Sequence, residues 1–211
     1  MRRLALATTA LLALACAPAD GRTTELAGGW HGVRAPEPIP RPSFVLADTE
    51  GRPYDFRKET AGRLTLLFFG YTHCPDVCPV HLANIAAVLR DLSYDDRQRV
   101  TVVFVSTDPD RDTPGRIREW LDAFDPAFVG LRGTIDEVNA IQKTLGLGAA
   151  APVPRGTPGA GTATDGGYTV GHAGQVIAFT PDDRAHLLYP FGTRQRDWAA
   201  DLPKLVHERW E

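Results

Sequence analysis

Two cysteines stand four positions apart in the segment YTHCPDVCPVHL, which spans residues 71–82. On a helix, residues four apart have Cβ atoms about 5–6 Å from each other, which is longer than the ~3.8 Å that a disulfide prefers. Cys74 and Cys78 could therefore share one metal ion, and they could still close a disulfide if the preceding loop moves. A merely structural pair of thiols is the plainer alternative, but the flanking prolines Pro75 and Pro79 make this an odd place for a covalent staple.

The elements on either side of the cysteines indicate how they are positioned. Residues 64–69 (LTLLFF) form a short run without charge, which predicts a strand buried on both faces. Apolar residues over 80–92 then follow the spacing of one face of a helix. Because Pro79 is tolerated only in the first turn, this helix is expected to begin near Asp76, a candidate N-cap, with Cys78 in its first turn. A helix N-terminus favours negative charge, including that of a thiolate.

The rest of the pattern alternates strands and helices and predicts one α/β domain over residues 43–211. Because the thiols follow the first central strand, we expect a thioredoxin-like domain with an extra N-terminal β-hairpin. Residues 146–167 are rich in Gly, Pro and Ala and predict a mobile insertion before a C-terminal hairpin. The individual predictions are a hairpin over 43–56, a buried strand over 100–105, helices starting at Thr113 and Thr134, a short strand over 128–131, paired strands over 168–179 and 186–190, and a helix over 195–210.

The first 19 residues have the features of an export leader. Two arginines precede an apolar stretch over 4–15 that is too short to span a bilayer. Two outcomes are expected: Cys16 becomes a lipid-modified N-terminus, which we favour, or the leader is cleaved after Ala19. Both outcomes place the mature protein outside the cytoplasm, and a lipid on Cys16 would hold it on the extracytoplasmic face of a bacterial cell membrane. Residues 20–42 are polar and rich in Pro and Gly, and are expected to form a flexible tether.

Composition excludes several classes of protein. The 211-residue chain has a net charge of −3 and a pI near 6.1, so it lacks the basic surface expected of a nucleic-acid-binding protein. Its three cysteines are too few for a disulfide scaffold. A hydrophobic content of 43% and a charged content of 23% are typical of a globular protein.

Several motifs taken together resemble the Sco/SenC family over residues 43–207. They are CPDVCP after an FFGYT strand end, DPDRDTP after the next buried strand, FVGLRG from Phe128, and a histidine in the predicted C-terminal hairpin. The resemblance implies a membrane-tethered, thioredoxin-like copper metallochaperone that helps to assemble the CuA site of cytochrome c oxidase. Such a protein delivers copper, reduces the cysteines of that site, or does both. Its partner would be the CuA-bearing oxidase subunit, and the resemblance names no copper donor.

The same resemblance implies that one copper ion per chain is bound by Cys74, Cys78 and His172. Two thiolates and an imidazole are soft ligands that suit Cu(I) and tolerate Cu(II). Family members often have Asp before this histidine and Ser after it, whereas this chain has Gly171 and Ala173. If that Asp normally orients the imidazole, another group must do so here.

Two alternatives concern the ligands and the chemistry. His73 and His81 lie close to the cysteines and are possible substitute ligands, whereas His186 is expected at the surface. A different function is that of a copper-independent thiol–disulfide oxidoreductase or thiol peroxidase, with Cys74 and Cys78 as its redox thiols. The three-residue spacer argues against it, because dithiol exchange usually uses a two-residue spacer.

Overall fold

The computed structural model of the chain describes residues 29–154, 157 and 167–210. The predicted leader with Cys16, the first part of the predicted tether and half of the predicted insertion lie outside these residues. Within the described ranges, no helix is long and apolar enough to cross a membrane.

The elements follow one another in mixed α/β order. The strands are β1 Val33–Pro40, β2 Val45–Asp48, β3 Pro53–Asp55, β4 Leu64–Gly70, β5 Val100–Ser106, β6 Val129–Arg132, β7 Ala151–Pro154, β8 Tyr168–Gly171, β9 Val176–Phe179 and β10 Arg184–Tyr189. The helices are α1 Phe56–Glu59, α2 Val77–Asp91, α3 Tyr94–Gln98, α4 Pro114–Asp122, α5 Ile135–Thr144 and α6 Gln195–His207.

One eight-stranded sheet carries the fold, in the order β1-β10-β9-β4-β5-β6-β2-β3. Its centre is parallel: β4 pairs with β5 from Leu64 opposite Val100 to Gly70 opposite Ser106, and β5 pairs with β6. The other pairs are antiparallel, including the predicted N-terminal hairpin of β2 and β3. The carboxyl ends of β4 and β5 therefore meet at one edge, where the cysteines follow β4.

Strand β4 is buried along its whole length, as its uncharged sequence predicts. Successive side chains point to opposite faces, so Leu66 and Phe68 pack under α2 and α6, whereas Leu67 and Phe69 pack with α5 on the other face. Full burial of each such side chain contributes about 1.5–3 kcal/mol to stability. The strand before the cysteines is thus held rigidly from both sides.

The N-terminal boundary predicted from the sequence is wrong. Residues 33–40 form β1, which pairs with β10 at the edge of the sheet, and Trp30 is buried and stacks on Trp210 at 5.4 Å between ring centroids. The predicted tether over 20–42 therefore belongs to the folded domain from Trp30 onwards. Three prolines in this stretch hid the strand, because proline cannot donate to a strand ladder and is accepted only at an edge.

The predicted insertion is also partly wrong. Residues 151–154 form β7, which pairs antiparallel with β8 in a separate two-stranded sheet. The predicted long strand over 168–179 is consequently divided into β8 and β9, of which β9 pairs with β10. Residues 172–175 form the connection between these two strands. His172 therefore lies in a loop rather than in a hairpin strand.

Candidate metal centre

Both cysteines lie where β4 gives way to α2. Cys74 is half-buried in the connecting loop, and Cys78 is fully buried in the first turn of the helix, as predicted. Asp76 occupies the N-cap position, but its side chain makes no capping hydrogen bond. The backbone N–H of Cys78 instead lies 3.4 Å from Cys74 Sγ and donates to it. The start of α2 is thus directed at a sulfur atom.

A glycine at the end of β4 makes room for the buried sulfur. A Cβ atom at Gly70 would lie 2.7 Å from Cys78 Sγ, closer than side chains tolerate, and in a tight contact of 3.0 Å with the Phe104 ring. This requirement was not recognised in the sequence, although Gly70 stands in the FFGYT strand end that precedes the cysteines.

Three predicted ligands come together at this point. The ligand atoms of Cys74, Cys78 and His172 all lie within 4.8 Å of one another, and His172 Nε2 is 3.6 Å from Cys78 Sγ. His172 is 94 residues away from Cys78 in sequence. The loop between β8 and β9 therefore brings the imidazole to the start of α2.

The orientation of His172 is set by backbone and aromatic contacts. His172 Nδ1 lies 3.1 Å from the Ala173 carbonyl oxygen. Because a carbonyl only accepts, Nδ1 carries the proton and Nε2 keeps its lone pair facing the sulfurs. The ring also meets the edges of Tyr71 and Phe68 at centroid distances of 5.6 and 6.2 Å. The Ala173 carbonyl thus does what a neighbouring aspartate would otherwise do.

The two thiols differ strongly in acidity. The pKa of Cys74 falls to about 4, chiefly because the Cys78 side chain donates a hydrogen bond to it; the backbone N–H groups of Cys78 and Asp76 add to the effect. Burial, followed by the neighbouring Cys74 sulfur, raises the pKa of Cys78 well above that of an ordinary thiol. The metal-free site therefore holds one thiolate and one thiol at neutral pH. Both cysteines are free.

The other histidines lie apart from this group. His81 is buried with Nε2 3.1 Å from the Gly174 carbonyl oxygen, and burial lowers its pKa. His73 lies 3.7 Å from an Asp112 carboxylate oxygen. The prediction that His186 is a surface residue is wrong: it is buried against Trp210.

A second cluster, of His73, Asp108 and Asp112, has ligand atoms equally close together. The Asp112 carboxylate, however, already accepts hydrogen bonds from the Thr72 hydroxyl and backbone N–H and from Ser106. Asp112 therefore fixes the first residues of the cysteine loop. The sequence shows it only as part of DPDRDTP, without indicating this contact.

Asp108 in the same cluster is also engaged. It pairs with Arg111 and accepts a 2.7 Å hydrogen bond from the Tyr168 hydroxyl. The Arg111 guanidinium lies over the Tyr168 ring at 3.7 Å. A cation so close to the carboxylate disfavours a bound metal ion there. These contacts attach β8, which leads to His172, to the loop that follows β5.

Comparison with known proteins gives this arrangement a family context. The family model described as SCO1/SenC matches residues 34–207. The chain belongs to the SCO1/SenC family. The match includes both cysteines, His172 and the cluster around Asp112.

Individual SCO1/SenC relatives agree with this assignment. A Stutzerimonas stutzeri protein named "Putative copper-binding protein" is 34% identical over 152 residues, which cover 71% of this chain and 69% of that protein. The copper-bound structure of Bradyrhizobium japonicum ScoI is 35% identical, with a TM-score of 0.64 and coverage of 78% and 98% of the two chains. The matches to mitochondrial and rickettsial relatives span less than half the length of those proteins.

The predicted thioredoxin-like α/β fold is confirmed by the solved SCO1/SenC structures. The apo Sco1 structure from Thermus thermophilus is 31% identical, with a TM-score of 0.69 and coverage of 83% of this chain and 96% of that one. BsSco, described as a member of the Sco family of cytochrome c oxidase assembly proteins, is 14% identical with a TM-score of 0.58 and coverage of 84% and 99%, and supports the fold alone.

Proposed function

We propose that this protein is a copper metallochaperone that helps to assemble the CuA site of cytochrome c oxidase. One copper ion per chain is held by Cys74, Cys78 and His172. The observation that carries the proposal is the convergence of two sulfurs and one imidazole nitrogen within 4.8 Å. The copper-bound structure of a 35% identical relative supports the choice of metal.

The ligand set suits copper in both oxidation states. Cu(I) is a soft ion that two thiolates bind well, and Cu(II) needs the additional nitrogen of His172. Cys74 is already a thiolate, whereas Cys78 must release its proton when copper binds. The Ala173 carbonyl keeps His172 in the tautomer that can coordinate.

The partner is the CuA-bearing oxidase subunit, whose cysteines take the copper by ligand exchange. Membership of the SCO1/SenC family, whose resemblance implies this partner, supports the choice. Half-buried Cys74 offers the accessible sulfur for that exchange. We place the protein on the extracytoplasmic face of the membrane, attached through its leader or a lipid on Cys16.

A reducing step on the same partner is compatible with the two thiols. The Cys74 thiolate attacks a disulfide of the recipient, giving a mixed disulfide and a released recipient thiolate. Cys78 then loses its proton and displaces the second recipient sulfur, which leaves a Cys74–Cys78 disulfide and a reduced recipient. A copper-independent oxidoreductase or peroxidase is less favoured, because neither activity requires an imidazole beside the buried thiol.

Copper stoichiometry tests the site. In a Cys16→Ser background, which removes the third thiol, we expect one copper per chain, lost in Cys74→Ala and in Cys78→Ala. His172→Ala should keep most Cu(I) binding but lose the thiolate-to-Cu(II) absorption, because two thiolates suffice only for Cu(I). Exposed His207 provides the matched control, His207→Ala. Undiminished copper in both cysteine variants would rule out the proposed site.

A further inference from the structure

The loop that carries His172 has few means of fixing its own position. Residues 172–175 connect β8 to β9, and the neighbours Gly171, Ala173 and Gly174 have no polar side chain. The loop lies against the first turn of α2, where a Cβ at Gly174 would be 3.5 Å from Val77. Gln175 has a polar side chain, but it makes no hydrogen bond within the described part of the chain, so a side-chain anchor for this backbone has to come from another element.

His81 on α2 supplies such an anchor. It is 1% exposed, and its Nε2 atom lies 3.1 Å from the Gly174 carbonyl oxygen. Because the carbonyl can only accept, Nε2 carries the proton and donates it. Nδ1 is then a bare acceptor, and it is buried without a hydrogen-bond partner in the part of the chain that the structure describes.

Aromatic packing holds the His81 ring in this orientation. It meets the Phe68 ring edge-on at 5.4 Å, and the Phe68 ring meets His172 at 6.2 Å. Phe191 and Trp198 enclose its other sides at 6.3 and 6.4 Å. Phe68 therefore lies between the two imidazoles, so the position of His81 and that of His172 are linked through one rigid side chain.

The choice of histidine at this place is not explained by packing. The surroundings are apolar, and a leucine would fill much of the space without leaving a buried nitrogen unpaired. What the imidazole adds is a single N–H directed at the backbone two residues after His172. This donor has a function only if the position of the loop matters.

We propose that His81 is a positioning residue, which acts through the Gly174 carbonyl to hold His172 at the two cysteines. This inference rests on the proposed copper site. Because Cu(I) can be held by the two thiolates, whereas Cu(II) needs the nitrogen ligand, His81 affects the Cu(II) form selectively. The hydrogen bond from His81 is thus a second contact that holds the His172 loop, in addition to the one between His172 and the Ala173 carbonyl. Gly171, which stands where family members often have Asp, has no side chain that could orient His172.

The test compares variants with and without the donor. His81→Phe and His81→Leu remove the N–H, whereas His81→Gln places an amide N–H at the same number of bonds from Cβ. His186→Phe is the matched control, because His186 is another buried histidine and its hydrogen bond goes to Asp182. Thermal unfolding shows that each variant is folded before it is used.

Hydrogen–deuterium exchange of the metal-free proteins measures how firmly the loop of residues 172–175 is held, independently of copper. Loss of one hydrogen bond should speed exchange of residues 172–175 by about 3- to 10-fold in His81→Phe and His81→Leu. His81→Gln and His186→Phe should stay within about twofold of the unmodified chain, which is below the effect of one such bond.

Copper titrations then measure how the same variants change the affinity of the site for Cu(II) and Cu(I). In His81→Phe and His81→Leu the dissociation constant for Cu(II) should rise by about the same 3- to 10-fold, and Cu(I) affinity should change by less than about twofold. Unchanged loop exchange in both donor-free variants, or equal losses in His81→Gln, would overturn the inference. If the unmodified chain binds no copper while loop exchange still follows the donor, the copper proposal fails and the anchor stands.

Discussion

At the scale of single residues, the two cysteines differ in depth although they are one helical turn apart. Cys78 is enclosed by the core beside Gly70, whereas Cys74 lies at the loop surface and receives the N–H of Cys78. Hydrogen bonds favour the charged form of Cys74, and burial favours the neutral form of Cys78. Of two identical side chains, Cys74 is therefore the thiolate and Cys78 the neutral thiol at neutral pH.

Gly70→Ala tests the space reserved for the Cys78 sulfur. The added Cβ would lie 2.7 Å from Sγ, so the sulfur or the strand must shift. Overpacking of this kind costs about 1–3 kcal/mol of unfolding free energy, and we expect weaker copper binding as well. Gly115→Ala is the control, because a Cβ there meets nothing within 4 Å. Denaturant unfolding and copper titration measure both effects, and a fully stable Gly70→Ala with normal affinity would contradict the packing argument.

The pH dependence of Cu(I) affinity tests the state of the two thiols. Cys74 is a thiolate above about pH 4, so at neutral pH only Cys78 has a proton to lose to the metal. Protons compete with copper, so affinity falls as pH falls, by about tenfold per unit between pH 6 and 8 when one proton is released. Competition titrations with a Cu(I) chelator measure this slope. A slope near two protons would show that Cys74 is also protonated in the metal-free protein.

At the scale of elements, the sequence predicted those helices and strands whose formation depends on neighbouring residues. The uncharged β4, the apolar face of α2 and the caps Thr113 and Thr134 were all read correctly. Strand β1 was missed because its prolines imitate a linker. This strand was also missed because an edge strand depends on pairing with a partner distant in sequence more than on its own pattern of apolar residues.

The candidate site shows the same division. Cys74 and Cys78 could be chosen from spacing and flanking elements, but His172 came from family resemblance, because nothing local connects residues so far apart in sequence. The stacking of Arg111 over the Tyr168 ring and the hydrogen bond between His81 and the Gly174 carbonyl could not be predicted. Both contacts join different elements, and no short motif encodes such a contact.

Trp30→Ala tests whether β1 belongs to the domain. Removing a buried Trp costs up to about 3–5 kcal/mol of unfolding free energy, and here it also removes the stack on Trp210. We expect a lower melting temperature and faster hydrogen exchange over 33–40, with one copper per chain retained. Val33→Ala, at an exposed position in β1, should change stability by no more than about 0.5 kcal/mol. Unchanged hydrogen exchange over 33–40 in Trp30→Ala would indicate that this stretch is part of the flexible tether and not of the domain.

At the scale of the whole molecule, the two ends of the described chain lie close together. The buried Asp201 of α6 accepts hydrogen bonds from the backbone N–H groups of His31 and Gly32, and the ring of His31 lies at 2.9 Å from its carboxylate. Trp30 and Trp210 stack beside it. The point at which the N-terminal segment joins the domain is therefore fixed relative to α6, and α6 in turn packs on α2.

Cys16→Ser tests the proposed membrane attachment. In a bacterial host, the unmodified chain should be recovered with membranes, and the variant should be recovered in the soluble extracytoplasmic fraction, because one lipid-bearing residue is lost. Cys74→Ser controls for thiol loss and should remain with membranes. Cell fractionation with immunodetection gives the answer. Membrane recovery of Cys16→Ser would show that attachment does not depend on this cysteine.

If the protein transfers copper to a recipient as proposed, the unequal depth of the two sulfurs would set the order of the exchange. Cys78 is enclosed by the core, so an incoming cysteine of the recipient would approach from the side of Cys74. Cys74 would then be the first ligand to be replaced, and Cys78 the last. Under the proposed function, copper would keep a sulfur from each protein at the midpoint of transfer and would not be released into solution.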